Sequence, residues 1–473
     1  MNTNPRYVSW VAGLGFALGL NVSLALAAGG SVDADGKRTS RISDESVYHI
    51  DPKDFPQRPK PILELGNDFL GPGNIGRGWE LPTGAVWQPS LVVFGTYRSA
   101  LQSFDVGDEV FSEWANRADL FANLQLSGSE RFLLGIRPLD KDGEFTSYRF
   151  RPDGAGTNEK GWNNQINAEI VSAFFEGDFS EIFPNLDPND TRQLDYGFAV
   201  GRQQLLYQEG LLVNDSLDAI GVTRNTLLPT GGSDLQITFL FGWGDIHRHN
   251  NREIANNKLF GLNFAADYRA STLNADFFYV DDRNGTSDGF FWGLSDVRRV
   301  GHYNLSTRLL GSHALEEESD IVRDGVLLLA ELSWVPAWTD NHVYVNGFLA
   351  IDEFTSAARG PATGGPLGRT GIQYRAVGLG RYGASLGNQA SQSFGGAFGY
   401  QWFIDPVVNQ VIFELGFRKS TNDAVEEQDA IAGAISYRHV LGQHTVFQFD
   451  MFSAVNFNRA NSSGGRVELR VEF

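Results

Sequence analysis

The chain closes on GGRVELRVEF, Gly464 to Phe473. Val467, Leu469, Val471 and Phe473 alternate there with Arg466, Glu468, Arg470 and Glu472. Successive side chains of a strand leave on opposite faces, so this segment has one apolar face and one charged face. A half-buried strand of a soluble sandwich carries the same pattern, and the rest of the chain must decide between the two.

The N-terminus sets the compartment. Arg6 precedes an apolar run from Val8 to about Ala28, and Ala25-Leu26-Ala27 offers a small-x-small cleavage site, so residues 1–27 read as a secretory signal peptide. The Gly-Gly and acidic residues that follow lack the positive flank of a retained anchor. Without Arg6 the 38 basic residues become 37 against 57 acidic, a charge of about −20 that argues against nucleic acid as a partner. Cysteine is absent, which excludes disulfides and lipid attachment through a thiol.

With 54 glycines, 12% aromatics and no second apolar stretch long enough to span as a helix, the exported chain fits an all-β class, a transmembrane antiparallel β-barrel of the bacterial outer membrane. Residues 28–84, with DPKDFPQRPKP among them, read as an N-terminal extension on the periplasmic side, and residues 85–473 as the barrel. Alternating segments recur through the latter: Ala118, Leu120, Ala122 and Leu124; Phe260, Leu262 and Phe264; Val411, Phe413, Leu415 and Phe417.

Both termini of such a barrel lie in the periplasm, so short turns and longer outer loops must alternate. Working back from Phe473 under that rule gives about 18 strands, from 85–103 to 465–473. The count requires a short strand at GFFWGLS, residues 289–295, and one outer loop at about 353–395. It also takes KDGEFTSYRFRPDGAGTNEKGWNN as a single outer loop. A sheet this wide encloses an aqueous lumen. The terminal strand must pair with the first, because an open edge in lipid leaves backbone groups unsatisfied at several kcal/mol each. Its final aromatic, Phe473, also resembles the signal read by the outer-membrane assembly machinery.

Taking the less apolar face of each strand as inward lines the lumen with Arg117, Arg131, Arg137, Arg308, Arg418, Arg438, Arg466 and Arg470. Asp119, Asp267, Asp276, Glu331, Glu414, Asp450, Glu468 and Glu472 face them. That wall is charge-mixed and gives a hydrated pore without strong ion preference. Acidic outer loops such as ALEEESD either bind cations among lipopolysaccharide phosphates or serve as plain solvated surface. The stretch from Phe354 to Ile404 departs from the average: it holds no Asp or Glu but carries Arg359, Arg369, Arg375 and Arg381. A long basic loop in this position is either an anion-attracting constriction folded into the lumen or a flexible surface loop.

Three motifs carry no chemistry in this context. GLGRYG at 378–383 fits G-x-G-x-x-G without a surrounding strand-helix-strand unit. GASLG at 383–387 places Ser385 in an elbow pattern that lacks its strand-to-helix turn. His247 and His249 lie two apart with no third ligand readable from the sequence, so they read as solvated loop histidines. The expectation is therefore no enzyme, no metal and no cofactor.

The segment from Val200 to Leu227 resembles the strand-loop-strand region of the alginate export family of outer-membrane barrels. Gly201, Arg202 and Gln203 match its Gly-Arg-Gln strand end, and Arg224 takes a corresponding place on the returning strand. GLGRYGASLGNQ is similar to a second loop segment of that family. The resemblance implies an 18-stranded barrel with an arginine-lined lumen passing an anionic polysaccharide. Arg202 shares parity with Tyr196, Phe198 and Val200, so it points inward only if the register flips near Gly201, and otherwise snorkels at the rim.

Together these readings predict a passive outer-membrane channel for anionic solutes, anionic oligo- or polysaccharide among them. Arg202, Gln203, Arg224, Arg359, Arg369, Arg375 and Arg381 are the candidate solute-binding residues. The alternatives are a general non-selective porin and a barrel that is structural or binds a partner. Outer-membrane lipid and lipopolysaccharide are the expected surroundings.

Overall fold

The computed structural model describes residues 60–473 apart from 70–75, 106, 108, 152–159, 284, 317–318, 406–407 and 423–427. The signal peptide and most of the expected extension lie outside the described residues. Eighteen antiparallel strands form one closed sheet. They are β1 (Ser90–Asp105), β2 (Val110–Gln125), β3 (Arg131–Ile136), β4 (Ile170–Asp178), β5 (Tyr196–Tyr207) and β6 (Val213–Leu227). Next come β7 (Gly232–His247), β8 (Glu253–Tyr268), β9 (Ser271–Asp281), β10 (Gly289–Val300), β11 (Tyr303–Ala314) and β12 (Gly325–Trp334). The last six are β13 (His342–Phe354), β14 (Ala390–Asp405), β15 (Asn409–Ser420), β16 (Ala430–Leu441), β17 (Thr445–Asn456) and β18 (Ser462–Glu472).

Each strand pairs with its neighbours in sequence, and β18 pairs with β1 from Ser463↔Asp105 to Glu472↔Thr96. The backbone of Phe473 extends this seam by exchanging two hydrogen bonds with Gly95, of 3.0 and 2.7 Å. A side chain at Gly95 would press into the Phe473 ring, its Cβ only 2.8 Å from a ring carbon. With the seam closed, each described barrel strand is paired on both sides, as the cost of an open edge in hydrocarbon demands.

The alternation of β18 sorts as its sequence demands. Val467 and Leu469 are exposed on the outer surface, whereas Arg466 and Glu468 are buried on the lumen side. Leu101, Val222, Leu262, Leu349 and Phe398 likewise face outward. Such residues cost free energy in water and cost none against lipid. No described helix is long and apolar enough to cross a membrane; the chain spans with strands.

Three elements differ from the sequence reading. The segment at 289–295 is only the start of β10, which runs to Val300. The stretch taken as one outer loop contains a hairpin, Glu144–Arg151 with Gly161–Asn163, whose first strand pairs with the upper part of β2. Within the expected extension, Leu63–Leu65 pairs with β1 at Leu91–Val93. Local alternation gives no warning of the last two, because each is short and finds its partner in tertiary space.

Candidate functional site in the lumen

Two outer connections leave the rim and enter the barrel. The first is the tip joining β5 and β6. Gly201 lies at φ +122°, where a Cβ would sit 2.2 Å from the Ala173 carbonyl oxygen, so only glycine fits. Beyond it the two strands remain paired in unbroken register up to Tyr207↔Val213. Their tip is buried: Leu211, Leu212 and Val213 belong to an apolar core with Leu310, Leu327 and Leu329 of β11 and β12. The Gln208 amide donates to Asp276 of β9 at 2.6 Å.

The second connection is residues 355–389, between β13 and β14. It runs beside the β6 end of the tip, with Val213↔Ala358 and Asn214↔Arg359 as parallel partners. It then touches widely separated parts of the wall. Arg98 of β1 donates to the Val377 carbonyl at 3.0 Å, and Arg117 of β2 to that of Gly378 at 2.9 Å. Glu113 accepts the Arg381 backbone N–H at 2.6 Å. On β15, Glu414 accepts from the N–H groups of Ile372 and Gln373 and from the Tyr344 hydroxyl. The loop therefore crosses the lumen and is pinned at several points along its course. GLGRYG and Ser385 belong to it; the Ser385 hydroxyl donates to Gln373, and no strand-helix unit surrounds either motif.

The predicted arginines occupy different settings. Arg359 is buried, and its guanidinium donates to the carbonyls of Gly210 at 2.6 Å, Gly364 at 2.6 Å and Gly365 at 2.9 Å. It clasps the loop to the tip and does not meet lumen water. Arg369 pairs with Glu331 at 3.0 Å and Glu209 at 3.6 Å. The Arg381 guanidinium lies over the Phe111 ring. Arg224 donates to the carbonyls of Asp195 and Arg192 and covers Tyr196, at the periplasmic end of the strand pair. Gln203 is the register partner of the fully buried Leu217.

Arg202 answers the parity question in a third way. The register does not flip, since Arg202 stands opposite Asp218 with 3.8 Å between their charged groups. Because the tip enters the barrel, the outer face of β5 there borders a recess, which Arg202 lines together with Arg117, Arg137, Asp140, His247 and Gly360 to Thr363. His247 is not a solvated histidine: it is buried, and its Nδ1 lies 2.9 Å from Asp215. Burial beside Arg359 and Arg248 pushes the His249 imidazole down to about 4.

Between the loop and the wall of β16, β17, β18 and β1 lies a cavity of about 170 Å³. Arg98, Arg375, Arg438, Arg466 and Arg470 line it, together with Asp450, Ser436 and Gln448. Glu468 lies beneath, paired with Arg98 at 2.7 Å and with Arg466 and Arg470. Five guanidinium groups against two carboxylates leave a net charge of +3. Among the described residues no carboxylate lies in ion-pair range of Arg375 or Arg438, and Arg375 is exposed. Arg98 escaped the sequence reading. Its signal was the alternation of Arg98, Ala100 and Gln102 against Tyr97, Ser99 and Leu101. The buried tip also had a signal: Leu205-Leu206-Tyr207 and Leu211-Leu212-Val213 are apolar where an outer turn would be polar.

A closed 18-stranded antiparallel sheet with an apolar exterior and a charged interior is a porin-type barrel of the bacterial outer membrane. Solved structures with similar folds agree. Pseudomonas aeruginosa OccK2 (OpdF) in complex with glucuronate matches with a TM-score of 0.54 at 10% identity, over 81% of this chain and 98% of that one. Pseudomonas aeruginosa OpdK with vanillate matches with 0.54 at 11%, over 80% and 98%. Acinetobacter baumannii OccAB2 matches with 0.53 at 12%, over 81% and 98%. At these identities the likeness is one of fold. No protein-family model and no curated protein sequence matches the chain. These likenesses support a porin-type barrel and do not reach the alginate export family that the sequence resembles.

Proposed function

We propose that the protein is a passive outer-membrane channel for small anionic solutes, carboxylates in particular, and has no catalytic role. The observation that carries this is the cavity bounded by Arg98, Arg375, Arg438, Arg466 and Arg470 between the lumen-crossing loop and the wall. Guanidinium groups suit carboxylates because their planar donor fork matches two oxygens at once. A cluster of like charge also raises the local anion concentration electrostatically. Two of the similar barrels were crystallised with glucuronate and with vanillate, and both of these are small carboxylates. The lumen-crossing loop and the buried tip reduce the free cross-section, which favours such solutes over an anionic polysaccharide.

The extensive pairing of the remaining wall charges favours a second reading, a general porin with little preference. The reversal potential of the purified barrel in a planar bilayer under a potassium chloride gradient separates the two. Anion preference with current block by added glucuronate supports the first reading, and weak selectivity without block rejects it. We further propose that the β18 seam ending on Phe473 is what the outer-membrane assembly machinery reads, and that lipopolysaccharide surrounds the outer rim.

A further inference from the structure

The inward course of the β5–β6 tip leaves a break in the pairing of the outer wall. At that level β2 is continued by the 144–163 hairpin, and the wall resumes with β7 and β8. Among the described residues no strand pairing joins the hairpin to β7 or β8. Three ligating side chains converge across this break: Asp142 from the turn before the hairpin, His247 at the end of β7 and Glu253 at the start of β8. Their ligand atoms all lie within 4.8 Å of one another. Asp142 and His247 belong to segments that three strands, β4, β5 and β6, separate in wall order, so only the inward tip brings them together.

We propose that Asp142, His247 and Glu253 form a Zn²⁺ site that staples the outer rim across this break. The donor set is one imidazole and two carboxylates, which suits Zn²⁺ with an open fourth position better than all-oxygen Ca²⁺. His247 is prepared for the role. Its side chain is about nine-tenths buried, and Nδ1 is held at 2.9 Å by the fully buried Asp215, which also accepts the His247 backbone N–H at 3.0 Å. That contact fixes the ring and leaves Nε2, which makes no hydrogen bond to a described residue, as the ligand nitrogen. His247 and Glu253 are direct register partners, so their side chains share a face.

The surrounding charge also fits a cation. Asp142, Glu253 and Asp215 are joined by Asp245, whose charge acts on Glu253; against them stand Arg202, whose charge acts on both His247 and Glu253, and Arg359, whose charge acts on Asp215. Four carboxylates against two guanidiniums leave an excess of two negative charges that a divalent ion neutralises. Donors of a tetrahedral zinc shell stand roughly 3.3 Å apart. Asp142 and Glu253 are both exposed, so their carboxylates can close that remaining distance.

The test is titration of the purified, tag-free barrel in detergent with Zn²⁺, in competition with a chromophoric chelator. One saturable Zn²⁺ per chain is expected, weakened at least about tenfold in an Asp142→Asn/Glu253→Gln variant and unaffected in His313→Gln. Both positions of the double variant are exposed, and asparagine tolerates the positive φ of Asp142, so the barrel should keep its heat-modifiable migration on gels. Absence of saturable Zn²⁺ binding, or binding unchanged in the folded double variant, overturns the site.

Discussion

Arg359 offers the sharpest test of how the lumen-crossing loop is held. Arg359→Met removes a guanidinium that donates to the carbonyls of Gly210, Gly364 and Gly365 at 2.6 to 2.9 Å. The Gly364 carbonyl still accepts from the Asn251 amide at 3.3 Å, so two acceptors are orphaned, at about 1–3 kcal/mol each and roughly 4 kcal/mol together. Part of this is offset. Burial pushes the Arg359 guanidinium down to about 10, so the wild type carries about 3 kcal/mol of uncompensated desolvation that methionine does not. The difference, about 1 kcal/mol, corresponds to a roughly fivefold shift toward the undocked loop. In single-channel recordings the variant should visit a higher-conductance level about five times more often than wild type, while barrel melting changes little. A variant whose current fluctuations match those of wild type would refute the clasp and the reasoning behind it.

Other consequences follow from the same geometry. Arg375→Ser with Arg438→Ser removes the two cavity guanidiniums that have no carboxylate of a described residue in ion-pair range, so the reversal potential should move toward the non-selective value; an unchanged potential rejects the cavity as the anion site. Burial pushes the Asp140 carboxyl up to about 6 beside Arg137, at 3.5 Å. As pH falls through about 6 the carboxylate takes a proton, Arg137 loses a counter-charge, and anion preference should rise. Asp140→Asn should show the higher preference already at neutral pH, with a smaller pH response. Gly201→Ala places a Cβ against the Ala173 carbonyl at a φ of +122°, and heat-modifiable gel migration should report impaired assembly.

The period-two pattern made the wall legible because a barrel strand has only two environments, lipid and lumen, and each side chain must choose one. Arg466, Val467, Glu468 and Leu469 sort by that rule, and so do most of the lumen residues read from parity. The outer loop at 353–395 was visible as a charge anomaly, and its place between two strands followed from turn counting.

What the sequence by itself determined is the strand count, the face of each strand and the closure through the C-terminal segment, since these follow from local alternation and the cost of an open edge. Only the tertiary structure decided which arginines face the cavity and which hold the loop. Arg359 and Arg375 sit in one basic loop with the same local chemistry, yet one meets three carbonyls and the other is exposed. It also decided that His247 meets Asp142 across three intervening strands. A loop's hydrogen-bond partners come from distant parts of the chain, and no periodicity encodes them.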